Sequence, residues 1–585
     1  MSKDRLARMW GIEDGYHDVF GNWHQTDCDI LSKLVNCLSA GRSGPAEVSA
    51  PVQGELRAFQ GDGARRWGIA VQLYAVRSAT NWGIGDFSDL QRILEAAAKS
   101  GADAVGLNPL HALFLDKPQD ASPYAPNSRL FLNPLYVDVT ALPEFAEIDH
   151  TNLARTIEGL RRSELVDYAE VAALKEQAFR LAYNRFLKHG TSTRRGEFQR
   201  FRADQGDKLT RFSCFEVLRR RFQSAPWRQW PEPWRSPDTA ALLNFRAEED
   251  RECGFFEFMQ WAADEQLAKC KQRADQLGLG IGLYLDLAVG VDPDGADAWS
   301  NQIAVLDGVS VGAPPDEFNP SGQDWGLAPF NPHAVSDNDF AAFRELLSAA
   351  MRHAGAVRLD HVLGLMRLFL VPRGSDASKG AYVRFPFEPL LRVIAEESNR
   401  YRCIFIGEDL GTVPEGFRET AGRWGIWTYR VMIFERGHDG EFKQPHEYPT
   451  ESLATFNTHD LPTFGGWITG HDLRTKRELG LDPGEGDESR ARAQAALQRA
   501  LSKQTDVQAD SFAASAAYLA ASPARLVMAS AEDLFDAVEQ VNIPGTVDQH
   551  PNWRRKLPVA LERWTEVETW QKVVTAFAKA GRSSR

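Results

Sequence analysis

Three short apolar segments of the chain end in acids: AVRLDH at 356–361, IGEDLG at 406–411 and NTHDLPT at 457–463. In the first, a two-residue period puts Arg358 and Asp360 on one face of a strand, with His361 just beyond. A guanidinium beside Asp360 favours its carboxylate form, as a nucleophile requires, although a structural ion pair has the same pattern. In the second, Glu408 and Asp409 close an apolar strand. One of the two suits a general acid if its surroundings raise its pKa, and either also suits helix capping or ion pairing. In the third, His459 and Asp460 close another strand, and Asp460 before Leu-Pro also fits a helix N-cap. The conjunction is more specific than any one segment. Breaking a glycosidic bond with retention needs one carboxylate as nucleophile and one as acid then base, and a third acid can stabilise positive charge on the sugar ring.

Strand ends can converge only if a fold brings them to one rim. Eight apolar runs with polar or glycine-rich ends recur along the chain: GIAVQLY, DAVGLNPL, GIGLYLDLAV, AVRLDHV, CIFIGEDL, TYRVMIF, LATFNTHD and ARLVMAS. Helical patterns separate several of them, such as DLQRILEAAAKSG and FEPLLRVIAEESNRY. This alternation predicts an α/β fold, a (β/α)8 TIM barrel, whose chemistry sits on the loops leaving the C-terminal strand ends. A strongly helical stretch predicts a large insertion at about 141–265 within a catalytic barrel spanning 61–585, with additional loop subdomains. Residues 1–60 hold one helical pattern and a Gly/Pro/Ser-rich linker, and read as a small N-terminal appendage.

Composition narrows the partners. The 585 residues are 43% hydrophobic and 25% charged, and no apolar run reaches the roughly 20 residues of a membrane span. A net charge of -13 disfavours nucleic acid, so the reading is no nucleic acid, no membrane and a neutral substrate. Six scattered cysteines without C-x-x-C argue against zinc or a disulfide framework. No histidine pair has metal-ligand spacing, so no metal and no cofactor is expected. The N-terminus lacks the apolar stretch of a secretory signal, which points to the cytoplasm.

The order Arg-x-Asp-His, strand-end Glu, His-Asp resembles the α-amylase-like glycosidase clan. Within it the chain is similar to the 4-α-glucanotransferases called amylomaltases or disproportionating enzymes, over nearly all of 67–560. The segments that carry this are NWGIGDFSDL (81–90), SPYAPNSRLFLNPLY (122–136), GAPPDEFNPSGQDWG (312–326) and EQVNIPGTVDQHPNWRRK (539–556).

The resemblance implies Asp360 as nucleophile, Glu408 as acid/base and Asp460 as transition-state stabiliser, with Arg358, His361 and His459 around the bond-cleaving subsite. It implies sugar contacts from Tyr124, from Asp286 and Asp292 in the first clan motif, and from Asp316, Gln323 and Trp325 in a mobile loop over the cleft. Pro314 and Pro315 would stiffen that loop, and Gly312, Gly322 and Gly326 would let it move. GLYLDLAVGVD lacks the Asn-His that ends this motif in many amylases, which weakens the amylase reading. The implied partners are α-1,4-glucans, maltodextrins and glucose, for a monomer or weak homo-oligomer. The alternatives are an α-amylase-type retaining hydrolase and a non-catalytic glucan-binding protein. The Trp-rich segment APWRQWPEPWR (225–235) either holds a distant glucan or packs the insertion, and Asn108 and His111 have no assigned role.

Overall fold

The computed structural model describes residues 3–18, 21–46, 54–146, 148–236, 238–315, 321–504 and 511–582. Among them, eight parallel strands close into a barrel. We number these β1 (Arg66–Val71), β2 (Ala104–Leu107), β3 (Gly282–Leu287), β4 (Ala356–Leu359), β5 (Ile404–Gly407), β6 (Trp427–Val431), β7 (Ser452–Thr455) and β8 (Leu526–Ser530). Each arises from one of the eight apolar runs. Strands covered by helices outside and by packed side chains inside bury both faces, so their residues form near-continuous hydrophobic runs. Helix Phe87–Lys99 shows the complementary pattern. Leu90, Ile93, Leu94 and Ala97 fall on one face at helical spacing and are fully buried. Each large apolar side chain so buried contributes about 1.5–3 kcal/mol.

Between β2 and β3 the chain runs through helices Tyr168–His189, Ser192–Gln205, Asp207–Arg221, Thr239–Glu248 and Asp250–Gln276. The last of these leads directly into β3, so the helical stretch ends inside the barrel's own βα rhythm. The Trp-rich segment belongs to the packing of this region. Trp227 and Trp230 are buried, and their indole N–H groups donate to the carbonyls of Pro293 and Ala225 at 3.0 and 2.9 Å. Trp299 in turn donates to the Trp234 carbonyl. Trp227 and Trp230, buried in this way, have no face left for a glucan, while Trp234 is half-buried and packs on Phe245.

A four-stranded antiparallel sheet lies beside the barrel, in the order Ala381–Arg384, Arg367–Pro372, Val309–Ala313, Gln323–Leu327. Helices Lys3–Met9 and Cys28–Ser39 pack on it. Ala7, Trp10, Leu31, Leu34 and Leu38 share a core with Val311, Leu327, Leu368, Leu370 and Val383. The edge of the same sheet is the hairpin that carries Gln323 and Trp325. The N-terminal helices are therefore joined through one core to a hairpin beside the catalytic rim.

Candidate active site

Arg358 organises the rim. The β3–β4 register pairs it with Asp286, and its Nη1 donates to both Asp286 oxygens at 2.7 Å. Its Nη2 donates to Asp360 Oδ1 at 2.8 Å and lies 4.0 Å from Glu408 Oε2. The β4–β5 register pairs Leu359 with Gly407, so Asp360 and Glu408 are the next residues on adjacent strands. Both carboxyl groups thus meet one guanidinium nitrogen, which places them side by side on the rim.

The choice between Glu408 and Asp409 is made by their partners. Asp409 accepts from Arg418 and from the Tyr429 backbone N–H, and is buried as a structural anchor. Glu408 faces the rim, accepting from the Leu410 N–H at 2.7 Å and the His361 N–H at 2.9 Å. His361 aims that N–H from a left-handed backbone, φ 49° and ψ 57°. For a residue with a side chain this conformation costs roughly 1–3 kcal/mol.

From Arg358 a line of polar contacts continues across the cleft. Tyr124 donates its hydroxyl to Asp286 Oδ2 at 2.6 Å and lies 3.3 Å from His459 Nδ1. The ring of Tyr124 stacks on His459 with centroids 4.7 Å apart, and Trp553 packs against both. His459 Nε2 is 3.3 Å from Asp460 Oδ2, and Asn542 donates its amide to Asp460 Oδ1 at 2.6 Å. Gln540 donates to the Asp460 backbone carbonyl. Asn542, Gln540 and Trp553 all lie in the 539–556 segment, whose sequence resemblance was evident but whose individual side chains carry no spacing signal toward Asp460.

The charges are set mainly by burial. Burial pushes Asp360 up to about 6, with Arg358 opposing and Glu408 and Asp286 adding to the rise. The guanidinium favours the carboxylate as adjacency suggested, but the loss of solvent outweighs it. Glu408 is also raised by burial, against Arg358 and its two backbone donors. Asp460 behaves oppositely. Burial raises it, but the charge and hydrogen bond of His459, together with Asn542 and Arg358, bring it below the usual carboxylate range. His459 is raised in return, because Asp460 overcomes the cost of burying the imidazolium.

Trp325 meets the rim through His361, edge to face at 5.1 Å, and its indole N–H donates to Gln323 Oε1. Gly312 serves close approach: a Cβ there would sit 2.1 Å from the Gln323 carbonyl oxygen. Gly322 and Gly326 hold positive φ, as turns require. Asp316 lies outside the described residues. Asp292 accepts from the Asp294 N–H within a turn at 2.8 Å. Asn108 is structural, accepting from the Leu73 N–H and donating to Tyr136, and His111 accepts from the Ala288 N–H. Segment 81–90 is likewise structural, with Asp86 and Asp89 forming the capping box of helix Phe87–Lys99. Among the described residues, no group of three His, Cys, Asp or Glu side chains is arranged to hold a metal ion.

A family model described as 4-alpha-glucanotransferase matches residues 71–561. The 4-alpha-glucanotransferase of Haemophilus influenzae is 36% identical over 531 residues, covering 84% of this chain and 75% of its own length. That of Mycobacterium tuberculosis is 36% identical over 521 residues, covering 84% and 71%. The amylomaltase from Corynebacterium glutamicum superposes with a TM-score of 0.86 at 26% identity, covering 98% of this chain and 99% of that one. An amylomaltase from Streptococcus agalactiae shares the fold, with a TM-score of 0.72 at 18% identity, covering 89% and 100%. With three acids gathered on one barrel rim and a family match across most of its length, the chain belongs to the 4-alpha-glucanotransferases.

Proposed function

We propose that the protein transfers α-1,4-glucan segments by a retaining double displacement, with Asp360 as nucleophile, Glu408 as acid/base and Asp460 as stabiliser. The observation that carries these roles is the continuous polar line Asp360–Arg358–Asp286–Tyr124–His459–Asp460, which fixes a nucleophile at one end and a carboxylate held ionised at the other. Asp360 attacks the anomeric carbon while Glu408 protonates the departing glycosidic oxygen, leaving a glucosyl ester on Asp360. Glu408, now a carboxylate, takes the proton from the 4-hydroxyl of an acceptor glucan. That oxygen displaces Asp360 and restores the α-linkage.

Tyr124 offers its ring to the C–H face of the sugar in this subsite. Arg358, Asp286, His361 and His459 position the acids and meet the sugar hydroxyls. Gln323 and Trp325 on the hairpin cover the acceptor side, where excluding water favours transfer over hydrolysis.

The substrates in this reading are maltodextrins derived from starch or glycogen, with glucose as the smallest acceptor. A cytoplasmic location is supported by six free cysteines, as a reducing compartment maintains. No helix among the described residues is long and apolar enough to cross a membrane. We assign a monomer or weak homo-oligomer.

Incubation with maltotriose tests the reading. Glucose and a ladder of longer maltodextrins should form at nearly constant reducing-end count. Rising reducing ends without longer products would indicate a hydrolase, and unchanged ladder formation by Asp360→Asn would remove Asp360 from its role.

A further inference from the structure

The cleft that holds Asp286, Arg358 and His459 has further polar groups that the steps above do not use. It is lined by Tyr124, Asp286, Arg358 and His459, and also by Gln72 and Glu532. The β8–β1 register pairs Ser530 with Ala70, so Glu532 and Gln72, each two residues further on, leave the barrel side by side. Around the barrel, β8 and β1 stand opposite β4 and β5, whose ends carry Asp360 and Glu408. A sugar ring with its anomeric carbon at Asp360 therefore turns its far edge toward Glu532 and Gln72.

Glu532 meets its own backbone N–H, a local contact that leaves carboxyl lone pairs open to the cleft. Gln72 Oε1 is buried with no hydrogen-bond partner. Burial holds the Glu532 carboxyl up to about 7, its own backbone N–H lowering it, Asp533 raising it and His459 lowering it. A carboxyl near half-protonation donates as well as accepts, and a side-chain amide does both. A buried polar atom without a partner is costly, so Gln72 Oε1 beside the Glu532 carboxyl in one cleft is explained by a ligand that completes it. Hydroxyl groups, each a donor and an acceptor, match both.

We propose that Glu532, with Gln72 beside it, is a specificity-determining residue that hydrogen-bonds the hydroxyls on the sugar edge farthest from the anomeric carbon in the cleavage subsite. The inference rests on the glucosyl-transfer reading of this site. On that edge lie the 3-, 4- and 6-hydroxyls, whereas the 2-hydroxyl lies beside the anomeric carbon.

The test uses α-glucosyl fluoride and its 2-, 3-, 4- and 6-deoxy analogues as donors, with maltose as acceptor. Glu532→Ala should lower kcat/KM for the parent donor by about ten- to a hundredfold. On at least one of the 3-, 4- or 6-deoxy donors that loss should shrink to within about threefold, while the 2-deoxy donor keeps it in full. Glu532→Gln, which retains a donor and an acceptor, should lose less than Glu532→Ala. An equal loss on every deoxy donor, or no loss on any, overturns the assignment. If Glu532→Ala fails to fold, Glu532→Gln and Gln72→Ala carry the same comparison. A wild-type enzyme that transfers from none of these donors overturns the glucosyl-transfer reading itself, a result distinct from an active enzyme with uniform losses.

Discussion

Asn542 donates its side-chain amide to Asp460 Oδ1 at 2.6 Å across 82 residues of chain. The loop after β8 thus completes an acid that leaves β7. That amide is one of the groups holding Asp460 ionised, alongside His459. Asn542→Ala should therefore raise the pKa of Asp460 and lower kcat/KM for maltotriose by about tenfold, the scale of one hydrogen bond to a charged group. Asn542→Asp should be worse, because a second carboxylate at that distance opposes ionisation of the first. Its deficit should grow as pH falls. Equal rates for the two variants at pH 6 and pH 8 would show that Asn542 acts by shape alone.

The raised pKa of Asp360 sets a pH limit. As a nucleophile Asp360 must be ionised, so kcat/KM for α-glucosyl fluoride should fall as pH drops through about 6. Fluoride departs without a proton, so Glu408→Gln remains measurable on this donor. The substitution removes a negative neighbour that raises Asp360. The acid limb should therefore move to lower pH. An unmoved limb would assign the ionisation to another group.

Trp230 separates packing from glucan binding in the 225–235 segment. It is 2% exposed and touches Phe215, Phe222 and Trp299. Trp230→Ala should destabilise the fold by about 3–5 kcal/mol, the range for emptying a large aromatic site. KM for long maltodextrins should stay within about twofold, since a buried ring has no glucan contact to lose. Urea unfolding and donor-length kinetics check the two halves independently. A raised KM at unchanged stability would restore the segment as a glucan site.

How much of this was legible in the sequence depends on where each constraint resides. The barrel strands were readable because burial on both faces writes itself into contiguous apolar runs, and strand-end acids stand out against them. The assignment of Asp409 to structure was not, because it depends on Arg418 and on the Tyr429 N–H, partners that only the folded loop brings near. The pull of Arg358 on Asp360 was readable two residues away, whereas the opposing loss of solvent at the rim is a property of the whole barrel. The close approach at Gly312 was likewise invisible until the neighbouring strand's carbonyl was in place.

The contact between Trp325 and His361 is where transfer and hydrolysis should part. His361 uses its backbone to hold Glu408 and its ring to meet Trp325, so the hairpin and the acid/base share one residue. An aromatic pair of this kind contributes about 0.5–1.5 kcal/mol beyond its buried area. Trp325→Ala should therefore loosen the hairpin and admit water, raising the hydrolysed fraction of maltotriose roughly two- to tenfold on that energy scale. Total turnover of α-glucosyl fluoride should change far less, since the acids themselves remain paired through Arg358. Trp325→Phe keeps an aromatic edge for His361 and should restore most of the transfer. If alanine and phenylalanine variants partition alike, water is excluded by the acceptor sugar and not by the hairpin.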